Sequence, residues 1–235
     1  MATYRAKEIA RSTIELLKKA GVNFKLLGKD EWCCGSVLLR TGNIKIAKEM
    51  GEHNIEALKK SDTAQVITSC AGCYRTLKKD YEEIFGKQDF EVVHIVDFLE
   101  KLIEEGKLKF PEVNMKVTYH DPCHLGRHMG VYESPRKILK SIPGLELVEM
   151  ARNRQNARCC GAGGGVRSAF RDLSDKMADT RLKEAEETGA EILTSACPFC
   201  TFALRDAAKR NNSKMRVLDL PELLLEILDK KGSDN

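Results

Sequence analysis

The sequence predicts an α/β fold of two repeated Rossmann-like units with parallel sheets, related by a pseudo-twofold axis. Three observations predict it: a cysteine pattern that occurs twice, short aliphatic runs that alternate with longer helical patterns, and cysteines that follow those runs. The chain has 235 residues and is 42% hydrophobic, which is enough for two domains of roughly 115 residues each.

The repeat is defined by the spacing of its cysteines. Cys33-Cys34-Gly35 recurs 126 residues later as Cys159-Cys160-Gly161 (159 − 33), and Cys70-x-x-Cys73 recurs 127 residues later as Cys197-x-x-Cys200 (197 − 70). The sequence before the second motif also repeats, because Ile67-Thr68-Ser69 resembles Leu193-Thr194-Ser195. Such agreement indicates an internal duplication.

The elements follow in order along the chain. The N-terminus has the apolar spacing of an amphipathic helix and not of a signal peptide. β-branched and aliphatic runs predict five strands: Phe24–Leu27, Val66–Ser69, Val117–His120, Leu145–Met150 and Ile192–Ser195. Helical patterns begin directly after Cys73 and around Cys200, and each unit ends in an amphipathic helix.

A linker separates the two units in this interpretation. The stretch Leu102 to Asn114 contains glycine and proline and loses apolar periodicity. We therefore place a boundary near residue 113, which gives a first domain over residues 1–113 and a second over 114–235.

Composition and charge exclude several functional classes. The 39 basic and 35 acidic residues give a net charge of only +4 without a basic stripe, so we expect no nucleic-acid partner. No apolar run approaches the roughly 18 residues of a membrane span, and the sequence shows no export signal. We expect a cytoplasmic protein, which a partner could hold at the cytoplasmic face of a membrane. Nine cysteines in a reducing compartment then indicate metal or redox chemistry and not structural disulfides.

The cysteines are expected to converge, because each motif follows a predicted strand and the carboxyl ends of parallel strands meet at one edge of a sheet. A CxxC motif at a helix N-terminus favours thiolates. Adjacent cysteines suit a multi-iron cluster better than tetrahedral zinc, and the five cysteines of the second half exceed the needs of one zinc ion. The four in the first half leave structural zinc open as an alternative.

The first half lacks a counterpart of Cys123. Cys123 lies 21 residues before the helix end at Gly144 (144 − 123), and the matching helix end is Gly21, so the counterpart would fall at position 0. We infer that the chain starts late, through truncation, a shifted start codon or a split gene. A strand and a cysteine encoded in frame upstream would support this inference, and their absence there would contradict it.

These motifs resemble those of the CCG-domain family, which includes the catalytic subunits of heterodisulfide reductases. The resemblance covers essentially the whole chain and is closest at Glu31–Ser36, Asp121–His124, Cys159–Gly165 and Ala196–Cys200. It implies that five cysteines per half bind a non-cubane [4Fe–4S] cluster and that the two clusters face a cleft where a disulfide is split. The complete set would be Cys123, Cys159, Cys160, Cys197 and Cys200, and the set with one ligand missing would be Cys33, Cys34, Cys70 and Cys73.

The resemblance implies an enzyme subunit that reduces a heterodisulfide of the coenzyme M–coenzyme B type to two thiols. The alternative is an electron-transfer subunit of a glycolate, lactate or glycerol-3-phosphate type dehydrogenase, and a zinc-stabilised scaffold is a third interpretation. No ferredoxin-type C-x2-C-x2-C-x3-C-P run occurs in the sequence. We therefore expect a partner subunit carrying flavin or ferredoxin-type clusters.

Several residues next to the cysteines are candidates for a role at the metal site. His124 is a candidate proton donor, with a hydrogen bond to a cluster sulfur or to the backbone as the alternative. Asp121 is expected to be an N-cap before Pro122. Trp32 either shields the site from water or packs in the core. The run Gly161–Gly165 lacks the spacing of a phosphate loop and is expected to let backbone pass close to a cluster.

Overall fold

The structure is a computed structural model that describes residues 5–230. Its first part contains six helices, a short 3-10 turn at Gly28–Asp30 and two strands. In chain order these are α1 Lys7–Lys19, α2 Ser36–Arg40, α3 Ile44–Lys60, β1 Gln65–Thr68, α4 Ala71–Arg75, α5 Tyr81–Phe85, β2 Glu91–His94 and α6 Ile95–Glu104. A π-helical segment, Thr76–Asp80, joins α4 to α5, so one helical run extends from Ala71 to Phe85.

The second part repeats this order with two additional strands. Its elements are β3 Met115–His120, α7 Gly126–Met129, α8 Glu133–Lys140, β4 Leu145–Leu147, α9 Val166–Ala169, α10 Arg171–Glu186, β5 Ile192–Ser195, α11 Pro198–Arg210, β6 Arg216–Asp219 and α12 Leu220–Lys230. A 3-10 turn lies at Arg154–Asn156. None of the helices within residues 5–230 is both long and apolar enough to cross a membrane.

All strand pairs are parallel, which confirms the predicted fold class. The first sheet pairs β1 with β2, and the second has the order β4-β3-β5-β6. The predicted strands at Val66–Ser69, Val117–His120 and Ile192–Ser195 are confirmed within one or two residues. The strand predicted at Leu145–Met150 is shorter than expected and ends at Leu147.

The prediction of a strand at Phe24–Leu27 is wrong. In the second sheet, β4 pairs only with β3, which separates it from β5. Within residues 5–230, the first sheet has no strand in the position of β3, so the segment from Phe24 to Leu27 has no ladder to join. A strand without a hydrogen-bonding neighbour is not stable, because it gains no ladder hydrogen bonds to offset the conformational entropy lost on ordering its backbone.

The strands β2 and β6 were not predicted. Each has four residues and passes directly into a helix, at Ile95 and Leu220 respectively. The apolar pattern of a strand therefore merges with that of the following helix, and periodicity alone cannot separate them. The predicted linker also begins too early: α6 continues to Glu104, and Leu102 is buried in the core, so only residues 105–114 lack helix or strand.

Helix packing crosses between the two halves reciprocally. α1 packs against α12, and α6 packs against α8. α1 and α8 are equivalent in the repeat, as are α6 and α12, so the last helix of each half covers α1, or its equivalent α8, in the other half. Ser134 Oγ on α8 donates a hydrogen bond to Asp97 Oδ1 on α6 at 2.7 Å. Side chains of both halves consequently share one continuous core.

Candidate metal centre

All nine cysteines are free thiols and lie in one continuous array. Cys34 Sγ lies 3.4 Å from Cys73 Sγ, and Cys160 Sγ lies 3.2 Å from Cys200 Sγ. The other side-chain contacts join Cys33 to Cys34, Cys70 to Cys73, Cys70 to Cys197, Cys197 to Cys200, Cys159 to Cys160 and Cys123 to Cys159. The structure thus brings together every cysteine that the sequence singled out, and the two sets meet at Cys70 and Cys197.

A left-handed glycine forms the turn in each CCG motif. Gly35 has φ 76° and Gly161 has φ 79°. In both turns the backbone N–H of the glycine donates to the first cysteine sulfur, with 3.3 Å between Gly161 N and Cys159 Sγ. The next N–H, from Ser36 or Ala162, donates to the second sulfur. This backbone conformation, which residues other than glycine adopt only with strain, therefore offers two N–H donors to two adjacent thiolates.

Each CxxC motif begins a helix, as the sequence predicts. Cys70 and Cys197 are extended residues immediately before α4 and α11, and Pro198 occupies the first turn of α11. The N–H groups of Cys73 and Cys200 donate to the sulfurs of Cys70 and Cys197. Free N–H groups and the helix dipole favour negative charge at these positions.

Side chains outside the motif hold the first CCG turn in place. Asn54 Nδ2 donates to the carbonyl of Cys33 at 3.1 Å, and Tyr81 Oη donates to the carbonyl of Cys34 at 3.2 Å. Asn54 Oδ1 in turn accepts from the Trp32 N–H at 3.1 Å. Of the two interpretations of Trp32, packing in the core is wrong, since the residue is 48% exposed and its ring stacks on that of His53.

The array cannot become fully ionised without a source of positive charge. Hydrogen bonds from Cys160 and Cys197, together with burial, raise the pKa of Cys200. The hydrogen bond with Cys159 contributes most to raising the pKa of Cys160 to about 12. Nine thiols at these distances repel one another as thiolates, whereas bound iron neutralises them. The residues present therefore fit a polynuclear iron–sulfur group, with backbone N–H donors already directed at the sulfurs.

His124 lies at the junction between the two halves. A Cβ built on Gly72, inside the first CxxC motif, would lie 3.4 Å from His124 Nδ1 and 3.8 Å from Cys70 Sγ. The His124 ring also contacts the His128 ring edge-on, with 5.2 Å between centroids. Burial, followed by the Arg75 guanidinium, lowers the pKa of His124 to about 4. This histidine follows a second-half cysteine but faces the first-half motif.

The prediction that Asp121 caps a helix is wrong. Arg136 is fully buried and donates to both Asp121 oxygens, at 2.7 and 2.9 Å, and to both Glu149 oxygens, at 2.6 and 3.0 Å. The Arg154 N–H also donates to Asp121. Pairing with the buried Arg136 guanidinium stabilises the fold more than capping a helix would. Either charge buried without its partner would strongly destabilise the folded state. The network fixes the end of β3 just before Cys123.

The sequence analysis did not assign His120 to the metal centre. His120 is buried at the end of β3, and its Nδ1 accepts from Arg181 Nε at 3.0 Å. A ring nitrogen of His120, Cys160 Sγ and Cys200 Sγ all lie within 4.8 Å of one another. The signal available in the sequence was the position of His120 at the end of a predicted strand, three residues before Cys123. The Arg181 contact, made 61 residues away, was not visible in the sequence.

Known proteins resemble this chain in both sequence and structure. A family profile described as CCG, cysteine-rich domain, matches residues 1–78 and 117–205. The chain is 47% identical over 97% of its length to one subunit of the dihydromethanophenazine:CoB–CoM heterodisulfide reductase of Methanosarcina barkeri, and covers 57% of that subunit. It is 34% identical over 96% of its length to "EtfAB:quinone oxidoreductase" of Syntrophomonas wolfei, covering 32% of that protein.

The matched relatives are longer than this chain, which spans about half the length of the first of them. Among solved structures, a hypothetical protein from Helicobacter pylori aligns with 97% of this chain and 46% of its own, with a TM-score of 0.54 and 14% identity. That similarity concerns the fold alone.

Proposed function

The chain belongs to the cysteine-rich CCG domain family, and on that premise we propose that it is an iron–sulfur oxidoreductase subunit that reduces a heterodisulfide to two thiols. The array of nine thiols is the observation that carries this proposal, because it continues across both halves through Cys70 and Cys197. The heterodisulfide of coenzymes M and B is the substrate we propose, following the name of the Methanosarcina relative.

We assign the ligands by half. Cys123, Cys159, Cys160, Cys197 and Cys200 would hold one non-cubane [4Fe–4S] cluster. The remaining set, Cys33, Cys34, Cys70 and Cys73, would hold a second cluster or, as the alternative, zinc. When bound, such clusters supply the electrons and the Lewis-acidic iron needed at a disulfide.

The side chains of the protein handle the protons. Cleavage of a disulfide to two thiols consumes two electrons and two protons, and the electrons are proposed to come from a partner subunit with flavin or ferredoxin-type clusters. His124 is the proposed proton donor, since it follows Cys123 in sequence and its ring faces the Cys70 motif in space. Because burial lowers its pKa to about 4, the ring would be neutral at pH 7 and would gain its proton only when the negative charge of a reduced cluster stabilises the imidazolium. Arg136 and Asp121 keep the preceding strand end in place, so the position of His124 is fixed by a buried ion pair.

Metal analysis followed by an assay tests the proposal. We expect anaerobically purified protein to contain about four irons per cluster with matching sulfide, and the oxidised protein to give a new EPR signal on adding a thiol. It should also reduce a coenzyme M–coenzyme B disulfide with a strong artificial electron donor. Zinc without iron, or iron without disulfide reduction, would contradict the proposal.

Electron transfer without disulfide cleavage is the second candidate. The similarity to a protein named as a quinone oxidoreductase favours it. In that case, the iron of this chain would be reduced and reoxidised by redox dyes, and thiols would leave its EPR spectrum unchanged. An electron-transfer subunit of a glycolate, lactate or glycerol-3-phosphate type dehydrogenase, the alternative drawn from the sequence, is one form of this candidate.

A further inference from the structure

A cationic cavity opens beside Cys159. It has a volume of about 510 Å³ and lies between the segment before the second CCG motif, α7 and α10. Its polar and charged lining consists mainly of cations, and Cys159 forms part of its wall. The lining residues that carry the argument are Arg127, Arg152, Arg158, Cys159 and Lys176.

The positive charge of this cavity is not balanced. Glu184 is the carboxylate next to both Arg152 and Arg158, at 2.8 and 2.7 Å, and it also pairs with Arg181 at 2.7 Å. One carboxylate therefore serves three guanidiniums. Arg127 donates to the backbone carbonyls of Gln155 and Ala157, so its charge is oriented without being neutralised.

Lys176 adds a further charge from α10. Within residues 5–230, no carboxylate lies within 4 Å of its ammonium group. The cavity thus combines surplus positive charge with direct access to a proposed cluster ligand. An anion placed there would gain a charge-assisted hydrogen bond from the Lys176 ammonium group and would share the guanidinium groups of Arg127, Arg152 and Arg158 with their present partners.

We propose that this cavity binds the oxyanion of the substrate, a sulfonate, phosphate or carboxylate, and so places the adjoining sulfur at the Cys159 side of the metal centre. The inference rests on the proposed function and names its substrate class, an anionic thiol or disulfide.

Calorimetric binding under anaerobic conditions tests the cavity. The probes are 2-mercaptoethanesulfonate, 3-mercaptopropionate and the uncharged 2-mercaptoethanol. We expect the two anionic thiols to bind more tightly than the neutral one, and Lys176→Gln to weaken only their binding, by about tenfold. Lys183→Gln, which lies two turns further along the same face of the helix and outside the cavity lining, is the matched control and should change nothing. Tighter binding of the sulfonate than of the carboxylate would identify the anion class.

The possible failures are distinguishable. Equal affinity for all three thiols, or an anion preference that survives Lys176→Gln, overturns the cavity proposal even if the protein reduces disulfides. A Lys176-dependent preference in a protein that contains iron but cleaves no disulfide supports the cavity and overturns the proposed function.

A second inference rests on the independent contact between Arg181 and His120. A guanidinium carries only donors, so His120 Nδ1 must accept, and the neutral ring then carries its proton on Nε2. Within the described residues, Nε2 is buried and has no hydrogen-bond partner. A protonated nitrogen cannot ligate a metal, which excludes His120 as a cluster ligand.

We infer that His120 donates its Nε2–H to a sulfur of the second-half cluster at Cys160 or Cys200. Hydrogen bonds to cluster sulfurs stabilise the more negative, reduced state and raise the reduction potential. His120 is therefore a positioning and tuning residue, held in one tautomer by Arg181.

Two measurements test this hydrogen bond. His120→Phe should bind the same amount of iron but shift the EPR-monitored midpoint potential to a lower value, and His120→Gln, which retains an N–H, should restore it. In the unsubstituted protein labelled with ¹⁵N-histidine, pulsed EPR should give a weak coupling that His120→Gln removes. A strong coupling of the kind produced by a direct ligand, or an unchanged potential in His120→Phe, would overturn the inference.

Discussion

The turn at Gly161 shows how closely a single residue can control the metal centre. A Cβ at this position would lie 2.6 Å from the Ser174 carbonyl oxygen, and the residue has φ 79°. We expect Gly161→Ala to lower the iron content and the melting temperature sharply, because left-handed strain of about 1–2 kcal/mol adds to a clash with α10 backbone. Iron analysis and thermal unfolding measure both.

Gly163 is the matched control two residues away. A Cβ there would meet nothing within 4 Å. Gly163→Ala should therefore leave iron content and melting temperature close to those of the unsubstituted protein. Equal losses in both variants would show that the glycine run matters for some reason other than the Gly161 turn.

His94 gives the stability a pH dependence of known sign. It lies at the end of β2, its Nδ1 accepts from the Val96 N–H at 3.3 Å, and burial lowers its pKa to about 4 from 6.5. As pH falls, the unfolded chain takes up this proton at a higher pH than the folded protein does, so protonation favours unfolding. The free energy of unfolding is therefore unaffected by His94 above pH 6.5 and decreases as pH falls from 6.5 toward 4. At pH 5.5 we expect a loss of about 1 kcal/mol.

His94→Asn isolates this contribution, because asparagine keeps an N-cap acceptor without titrating. The free energy of unfolding of the two proteins, measured by denaturant between pH 7.5 and 5.5, should fall more steeply in the unsubstituted protein. Parallel pH profiles would contradict the assignment to His94.

At this scale the sequence predicts that the cysteines converge but does not predict the partners of the side chains around them. Adjacent cysteines and CxxC motifs carry their own spacing, so all nine could be named in advance. The contacts of His120 with Arg181 and of Asp121 with Arg136 join residues 61 and 15 positions apart. Nothing in local sequence distinguishes those side chains from ordinary caps and surface charges.

Among the elements, α8 is tied to the end of β3 through Arg136. The guanidinium is buried between Asp121 and Glu149. Arg136→Met removes the buried cation of this network and leaves Asp121 charged and buried, so we expect a loss of about 3–5 kcal/mol in the free energy of unfolding. Denaturant titration checks this value.

Arg216 provides the control for that substitution. It makes a bidentate pair with Glu226, but the two side chains are 51% and 31% exposed. Arg216→Met should cost about 0–1 kcal/mol. A similar effect of the two substitutions would mean that burial of the Arg136 network is not what stabilises β3.

A periodic apolar pattern predicts a strand correctly only where a neighbouring strand is available for pairing and the pattern ends with the strand. β1, β3 and β5 could be predicted because their aliphatic runs are bounded by turns. The Phe24–Leu27 run has a similar apolar character, yet it remains irregular because strand formation depends on an adjacent ladder. The four-residue strands β2 and β6 escape prediction for the opposite reason: the ladder exists, but the sequence pattern continues into a helix.

At the scale of the whole molecule, the reciprocal helix packing makes the halves interdependent. Leu139 on α8 is fully buried in the shared core. Trp32, the only tryptophan in the chain, lies in the first half. We expect Leu139→Ala to destabilise the protein by about 2–5 kcal/mol and to move the fluorescence transition of Trp32 by the same amount as the circular dichroism transition.

Independent unfolding of the halves would give a different result. The Trp32 transition would then stay in place while only part of the dichroism signal shifted. A surface substitution on the same helix, Lys140→Ala, should leave both transitions unchanged, since Lys140 is exposed.

The reciprocal packing of α1 with α12 and of α8 with α6 is also the arrangement that two separate copies of one repeat would adopt as a symmetric, domain-swapped pair. Joining them in one polypeptide turns that association into an intramolecular one and raises the effective concentration of each copy for the other. Fusion also frees equivalent positions to diverge. His94 and Asp219 end matching strands, β2 and β6, and both are fully buried. One contacts the Tyr74 ring, and the other accepts from the Thr201 hydroxyl. A gene duplication thus allows a single chain to build two unlike halves around one array of cysteines.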